Sequence, residues 1–139
     1  MVILFDIFHM PDDIFSVVFA TDQQVAVAKM LVESIKEQGG QLGKTEMSVF
    51  ANNLHDGVTI DTEVSVGPIK KKERVKISYN KRQFYDRILT PMKTMGMVDY
   101  DLYKKKYALS DKFLKALSNI GLLWKKELGT HGSLGSFSS

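Results

Sequence analysis

The stretch from Phe84 to Ser110 allows few backbone paths. Phe84, Ile88, Leu89, Met92 and Met95 recur at the spacing of one helical face, and Gly96 stands where a helix ends in a left-handed residue. Met97-Val98-Asp99-Tyr100 then alternates apolar with polar, and Tyr107-Ala108-Leu109 offers a matching return strand. The six residues between them, Asp101–Lys106, are mostly polar and end in three lysines. The pattern predicts a helix, a tight turn and a hairpin with a basic tip. Asn80 is the expected N-cap, with Lys81, Arg82 and Gln83 in the first turn. Pro91 lacks a backbone donor and should kink the helix or start a new turn after Thr90.

The flanking segments are simpler. Thr21 or Asp22 caps a helix whose apolar face is Val27, Leu31 and Ile35, and Gly39-Gly40 ends it. A second helix starts near Thr45, with Met47, Phe50, Ala51 and Leu54 on one face, and stops at His55-Asp56-Gly57. Val58–Val66 and Arg74–Ser78 alternate around Gly67-Pro68, which reads as a β-hairpin or two extended arms. Ser110 caps a last helix with Asp111 in its first turn, and its stripe is Phe113, Leu117, Ile120, Trp124 and Leu128. Before residue 22, Met1–Phe8 reads as a short strand or an extended arm. Pro11-Asp12-Asp13 reads as the first turn of a helix carrying Ile14, Phe15, Val18 and Phe19. Residues 129–139 are rich in Gly and Ser and are expected to be disordered.

Charge divides the chain. Residues 1–68 hold ten acids against three bases, a net of −7, and residues 69–139 hold sixteen bases against six acids, a net of +10. Such asymmetry is a localised electrostatic footprint, and polyphosphate is its commonest partner. The bland alternative is a solvated basic face. There is no cysteine, which excludes disulfides, thiolate metal sites and a cysteine nucleophile. Neither a secretory signal nor a membrane-spanning run is legible, so the expectation is a soluble, cytoplasmic protein.

Phe84–Asp101 resembles the recognition helix and first wing strand of winged helix-turn-helix domains. In that family, apolar residues four and seven before a glycine seat the recognition helix, and an apolar residue after it opens the wing. Here these are Leu89, Met92, Gly96 and Val98. The return strand of the wing commonly reads aromatic-x-Leu-Ser/Thr, here Tyr107-Ala108-Leu109-Ser110. The similarity covers Asp22–Leu128 and departs in the middle, where about twenty residues replace the usual short turn between the second and third helices.

The resemblance implies a mainly α, α+β fold with a small β-hairpin wing. It divides the chain into an N-terminal extension (1–21, a candidate dimerisation arm), a winged helix-turn-helix domain with an inserted basic hairpin or arm (22–128), and a tail (129–139). It also implies double-stranded DNA as partner, with the recognition helix in the major groove and the wing on the backbone, as in transcriptional regulators. The candidate nucleic-acid-binding residues are Lys70, Lys71, Lys72, Arg74 and Lys76 on the arm. On the helix they are Asn80, Lys81, Arg82, Gln83, Tyr85 and Arg87, and on the wing Lys104, Lys105 and Lys106. A homodimer is expected, with Phe113, Leu117, Ile120 and Trp124 as the interface. The alternatives are a winged helix used for protein interaction, and single-stranded DNA or RNA binding through exposed tyrosines.

Nothing in the pattern asks for catalysis, a metal or a cofactor. His9, His55 and His131 are scattered, and no phosphate-cradling glycine motif occurs. Asp99 and Asp101 share one face of a strand, which reads as solvated carboxylates.

Overall fold

The computed structural model describes residues 5–129; the side chains of residues 61–66 and 70–72 lie outside the description. In order the elements are α1 (Phe15–Val18), α2 (Asp22–Glu37), β1 (Gln41–Gly43), α3 (Lys44–Asp56), β2 (Val58–Val66) and β3 (Ile69–Ile77). There follow α4 (Lys81–Phe84), a π-helical turn (Tyr85–Leu89), α5 (Thr90–Met95), β4 (Val98–Asp101), β5 (Lys106–Leu109) and α6 (Lys112–Leu128). Over the described residues the chain is therefore mixed α and β, with two antiparallel sheets: three strands in the order β1-β5-β4, and the pair β2-β3.

Local chemistry accounts for the helix ends. The Thr21 hydroxyl accepts the Gln24 N–H at 3.2 Å and opens α2, whose Val27, Ala28, Leu31 and Ile35 are all buried. Asn80 and Gln83 form a reciprocal capping box: Asn80 Oδ1 accepts the Gln83 N–H at 2.8 Å, and Gln83 Oε1 accepts the Asn80 N–H at 3.0 Å.

Pro91 is accommodated one turn earlier than a simple kink requires. The Thr90 N–H reaches back to the Tyr85 carbonyl, so the turn before the proline is one residue wider than α. Pro91 then stands at the second residue of α5, which continues the π turn with no break in helical backbone.

Gly96 closes α5 at φ 84°, and its carbonyl accepts the Phe113 N–H of α6 at 3.0 Å. A Cβ there would lie 2.9 Å from that same Phe113 nitrogen. Gly96→Ala should therefore lower stability by about 1–3 kcal/mol, read as a shift in the urea midpoint. A shift within about 0.5 kcal/mol would mean that α6 is not tied to this turn.

The core gathers Leu31 and Ile35 of α2, Met47, Ala51 and Leu54 of α3, Phe84, Ile88, Leu89 and Met92 of the α4–α5 segment, and Leu42 and Val98 of the sheet. Strand β1 was not expected from sequence. Its three residues pair with β5 in the register Gln41↔Ala108, Leu42↔Tyr107, Gly43↔Lys106, and Leu42 is buried. The β2–β3 hairpin is longer, with nine paired residues from Val58↔Ile77 to Val66↔Ile69. Gly67, at φ 62°, takes the first place of the two-residue turn, a conformation that favours glycine. Ile77 is buried at the hairpin's base, while Gly67, Pro68 and Ile69 at the far end are exposed.

The N-terminal segment departs from expectation. Residues 5–10 form a turn, not a strand: the Asp6 carboxylate accepts the N–H groups of Phe8 and His9, both at 2.7 Å, and meets His9 Nδ1 at 3.0 Å. Pro11-Asp12-Asp13 precedes the helix instead of opening it. Asp13 accepts the Ser16 N–H at 3.0 Å and pairs with Lys29 at 2.7 Å, which fastens the short α1 to α2. Met1–Leu4, and the tail from residue 130 that was expected to be disordered, lie outside the described residues. Among the described residues no helix is long and apolar enough to cross a membrane.

Candidate nucleic-acid interface

The segment from Lys81 to Met95 has two unlike faces. Phe84, Ile88, Leu89 and Met92 are buried, and Lys81, Arg82, Asp86, Arg87, Thr90, Lys93 and Thr94 are exposed. Among the described residues nothing buries this polar face.

Its members are nevertheless not all free. Lys81 Nζ donates to the Ser48 hydroxyl of α3 at 2.8 Å. Arg82, 91% exposed, meets Asp86 at 3.6 Å, an exposed pair that water screens heavily. Asn80 and Gln83 spend part of their hydrogen-bonding capacity on the capping box, so replacing either one tests the helix start as well as any ligand contact. Asn80→Ala should cost about 1 kcal/mol of stability by thermal or urea unfolding. Arg82→Ala should leave stability within about 0.5 kcal/mol. Arg87 lines a polar hollow with Thr21, Asp22, Gln23, Gln24 and Tyr79, on the flank facing the start of α2.

The tip of the β4–β5 hairpin is built to hold its lysines out. Asp101 Oδ1 accepts the N–H groups of Tyr103 at 2.9 Å and Lys104 at 3.1 Å, and the Asp101 carbonyl accepts the Lys105 N–H at 2.7 Å. Lys105 takes a left-handed φ of 54°. Lys104, Lys105 and Lys106 are all exposed, beside Tyr103 at 98% exposure. Asp99, expected to be solvated, is exposed and also accepts from Lys112 Nζ at 2.7 Å, which joins β4 to the start of α6. The Lys112 ammonium holds this carboxyl below the usual carboxylate range. The link is therefore present above that range and lost as pH falls through the lowered value.

On the β2–β3 hairpin, Arg74 and Lys76 are exposed, whereas the side chains of Lys70, Lys71 and Lys72 lie outside the described residues. The register sets Arg74 opposite Asp61 and Lys72 opposite Glu63, so acids of β2 face bases of β3 across the ladder. The arm is less one-sided in charge than β3 read alone.

One cluster escaped the sequence reading. Tyr100 of β4 and Tyr107 of β5 pack with ring centroids 4.6 Å apart. Lys44, the first residue of α3, lies 5.7 Å from the Tyr100 ring, and Lys93 of α5 lies 5.8 Å from Tyr100 and 5.9 Å from Tyr107. Two ammonium groups thus converge where the end of α5, the start of α3 and the β4–β5 hairpin meet. Burial raises the phenol of Tyr85, with Lys44 opposing, and raises that of Tyr107, with Tyr85 and Tyr100 adding to the effect. Tyr85 is half-buried with its ring edge-on to Phe84 at 5.4 Å, which makes it a packing residue. No local signal joins Lys44 to Tyr100; the link depends on β1 pairing with β5.

Of the four residues expected at a dimer interface, Phe113 is 7% exposed and belongs to the core of the single chain, because it packs where α6 leaves Gly96. Leu117, Ile120 and Trp124 are 38%, 62% and 64% exposed. Compared with protein-family models, curated proteins and solved structures, the chain finds no match.

Proposed function

We propose that this chain is a winged helix-turn-helix protein that binds double-stranded DNA and acts as a cytoplasmic transcriptional regulator. The observation that carries the reading is the juxtaposition around Lys93. The α4–α5 segment keeps a polar, mostly basic face uncovered, and its end meets a hairpin whose three lysines project into solvent. The order helix, strand, helix, helix, strand, strand, helix, with β5 central in its sheet, supports the winged-helix topology; β2–β3 is the insertion. On this reading Arg82 reaches base edges, Lys104–Lys106 meet the phosphate backbone, and Lys44 and Lys93 add cations beside the wing.

Two features weigh against the alternatives. A platform for single strands needs exposed aromatic rings. Tyr79 and Tyr107 are each 8% exposed, and Tyr85 and Tyr100 are partly buried in the core. Tyr103 alone among the five tyrosines is open. A protein-interaction module would be favoured by a recognition face packed against its own chain, and Arg82, Asp86 and Arg87 are exposed.

Fluorescence anisotropy with random duplex DNA, single-stranded DNA and RNA of equal length tests the reading. The duplex should bind most tightly. Absence of duplex binding at low salt would reject the proposal, and a preference for single strands would replace it. Once a preferred site is found, Arg82→Ala should weaken binding there by about 1–3 kcal/mol and narrow the gap to random sequence.

A further inference from the structure

Helix α6 is poorly covered for its composition. Of its seventeen residues only Phe113 is buried. Leu114, Ile120, Leu122, Leu123 and Trp124 are each more than half exposed, and Leu117 is 38% exposed. Soluble single chains rarely leave so much contiguous apolar surface in water. At the root of the helix lies an apolar cleft of about 770 Å³, walled by Phe15 of α1, Val32 of α2, and Met97, Leu109, Leu114 and Leu117. Leu114 and Leu117 belong both to this cleft and to the exposed part of α6, so hollow and stripe are one continuous surface.

We propose that a second copy of this chain covers that surface, with Trp124 of each copy seated in the cleft of the other. The proposal stands on the helix and the cleft alone and does not depend on nucleic-acid binding. Leu117, Ile120 and Trp124 follow one another at spacings of three and four, the seam of paired helices. In an antiparallel pair whose twofold axis passes between Ile120 and Gly121, Trp124 of one copy falls opposite Leu117 of the other, at the cleft. The arrangement is closed and self-complementary, as a twofold interface requires. Gly121 at the crossing has no heavy atom near its missing Cβ and allows the two backbones to approach.

Area favours a true interface: Trp124, Ile120, Leu117 and Leu114 share one side of α6 and are 38–66% exposed, and with the cleft walls they supply much of the ~800 Å² per partner of a stable complex.

Trp124 is the chain's single tryptophan, so its emission reports on this one position. The full-length protein, without DNA, should sediment as a dimer at micromolar concentration, and its emission should shift to the blue as concentration rises through the dissociation constant. Trp124→Ala should raise that constant about 30-fold or more, while Trp124→Phe should retain most of the dimer. Val32→Glu, in the cleft wall on a different element, should dissociate the dimer to a similar degree, with circular dichroism confirming that the variant is folded. A wild-type chain that stays monomeric to about 100 μM overturns the proposal, whether its indole is exposed or shielded by its own N-terminal segment. So does a dimer whose emission remains that of exposed indole, or one that survives Trp124→Ala. A folded Val32→Glu dimer of undiminished affinity would overturn the seating of Trp124 in the cleft.

Discussion

Raising monovalent salt from about 50 to about 200 mM should cost the wild-type chain about three decades of affinity for duplex DNA, because each neutralised phosphate contributes about −0.9 to the log–log slope and about six contacts give a slope near −5. The contacts are expected from Lys104, Lys105 and Lys106 at the tip of the β4–β5 hairpin, the proposed wing, from Lys44 and Lys93 beside it, and from Lys81 at the helix start. All six are exposed. Replacing Lys104, Lys105 and Lys106 together by alanine should flatten the slope by nearly 3 and weaken all duplex sequences alike. Fold should be unaffected, since the turn is held by the Asp101 carboxylate and carbonyl accepting backbone N–H groups, not by the lysine side chains. Anisotropy titrations at four or five salt concentrations read both quantities. A wing variant that lost specificity while keeping its slope would exchange the roles assigned to wing and helix. A flat wild-type response would remove electrostatics as the driving term.

The second large effect concerns stability. Phe84→Ala should cost about 3–5 kcal/mol. Phe84 is 0% exposed and is the largest fully buried side chain among the described residues. Its ring lies 5.2 Å from that of Phe50 and 5.4 Å from that of Tyr85, so truncation empties a space walled by α3 and the π turn together. The expected loss is a large part of the 5–15 kcal/mol that holds a typical domain folded. Urea unfolding monitored by circular dichroism should show the midpoint fall with little change in slope. A loss under about 1 kcal/mol would mean that the segment is loosely packed, and a loosely packed helix could not hold Arg82 in a defined position for base contacts.

Where the signals were local, the fold was legible in the chain. Val27, Leu31 and Ile35 lie one helical turn apart, as do Phe84 and Ile88, and Asn80 and Gln83 sit three apart, so face and cap can be read within one window of sequence. Gly96 and the alternation after it likewise announced the β4–β5 hairpin, whose partners are close in sequence. The charge division needed no fold at all. The candidate helix and wing residues, with Arg82 and Lys104–Lys106 exposed among them, follow from these two signals.

What the chain could not announce depends on partners far along it. Gln41-Leu42-Gly43 is too short to alternate, and it becomes a strand because Tyr107 and its neighbours lie alongside. That pairing brings Lys44 to Tyr100, and no spacing in the sequence encodes their approach. The widened turn before Pro91 is a compromise between a missing donor at one residue and the buried positions of Ile88 and Leu89 just before it. Phe113 and Trp124 belong to one amphipathic stripe and look equivalent in sequence. Only the packing of α6 against Gly96 separates them, burying the first and leaving the second in water. Periodicity determined which residues share a face, because it follows from backbone geometry alone. Tertiary structure decided what each face meets, because burial depends on surfaces that distant segments bring together.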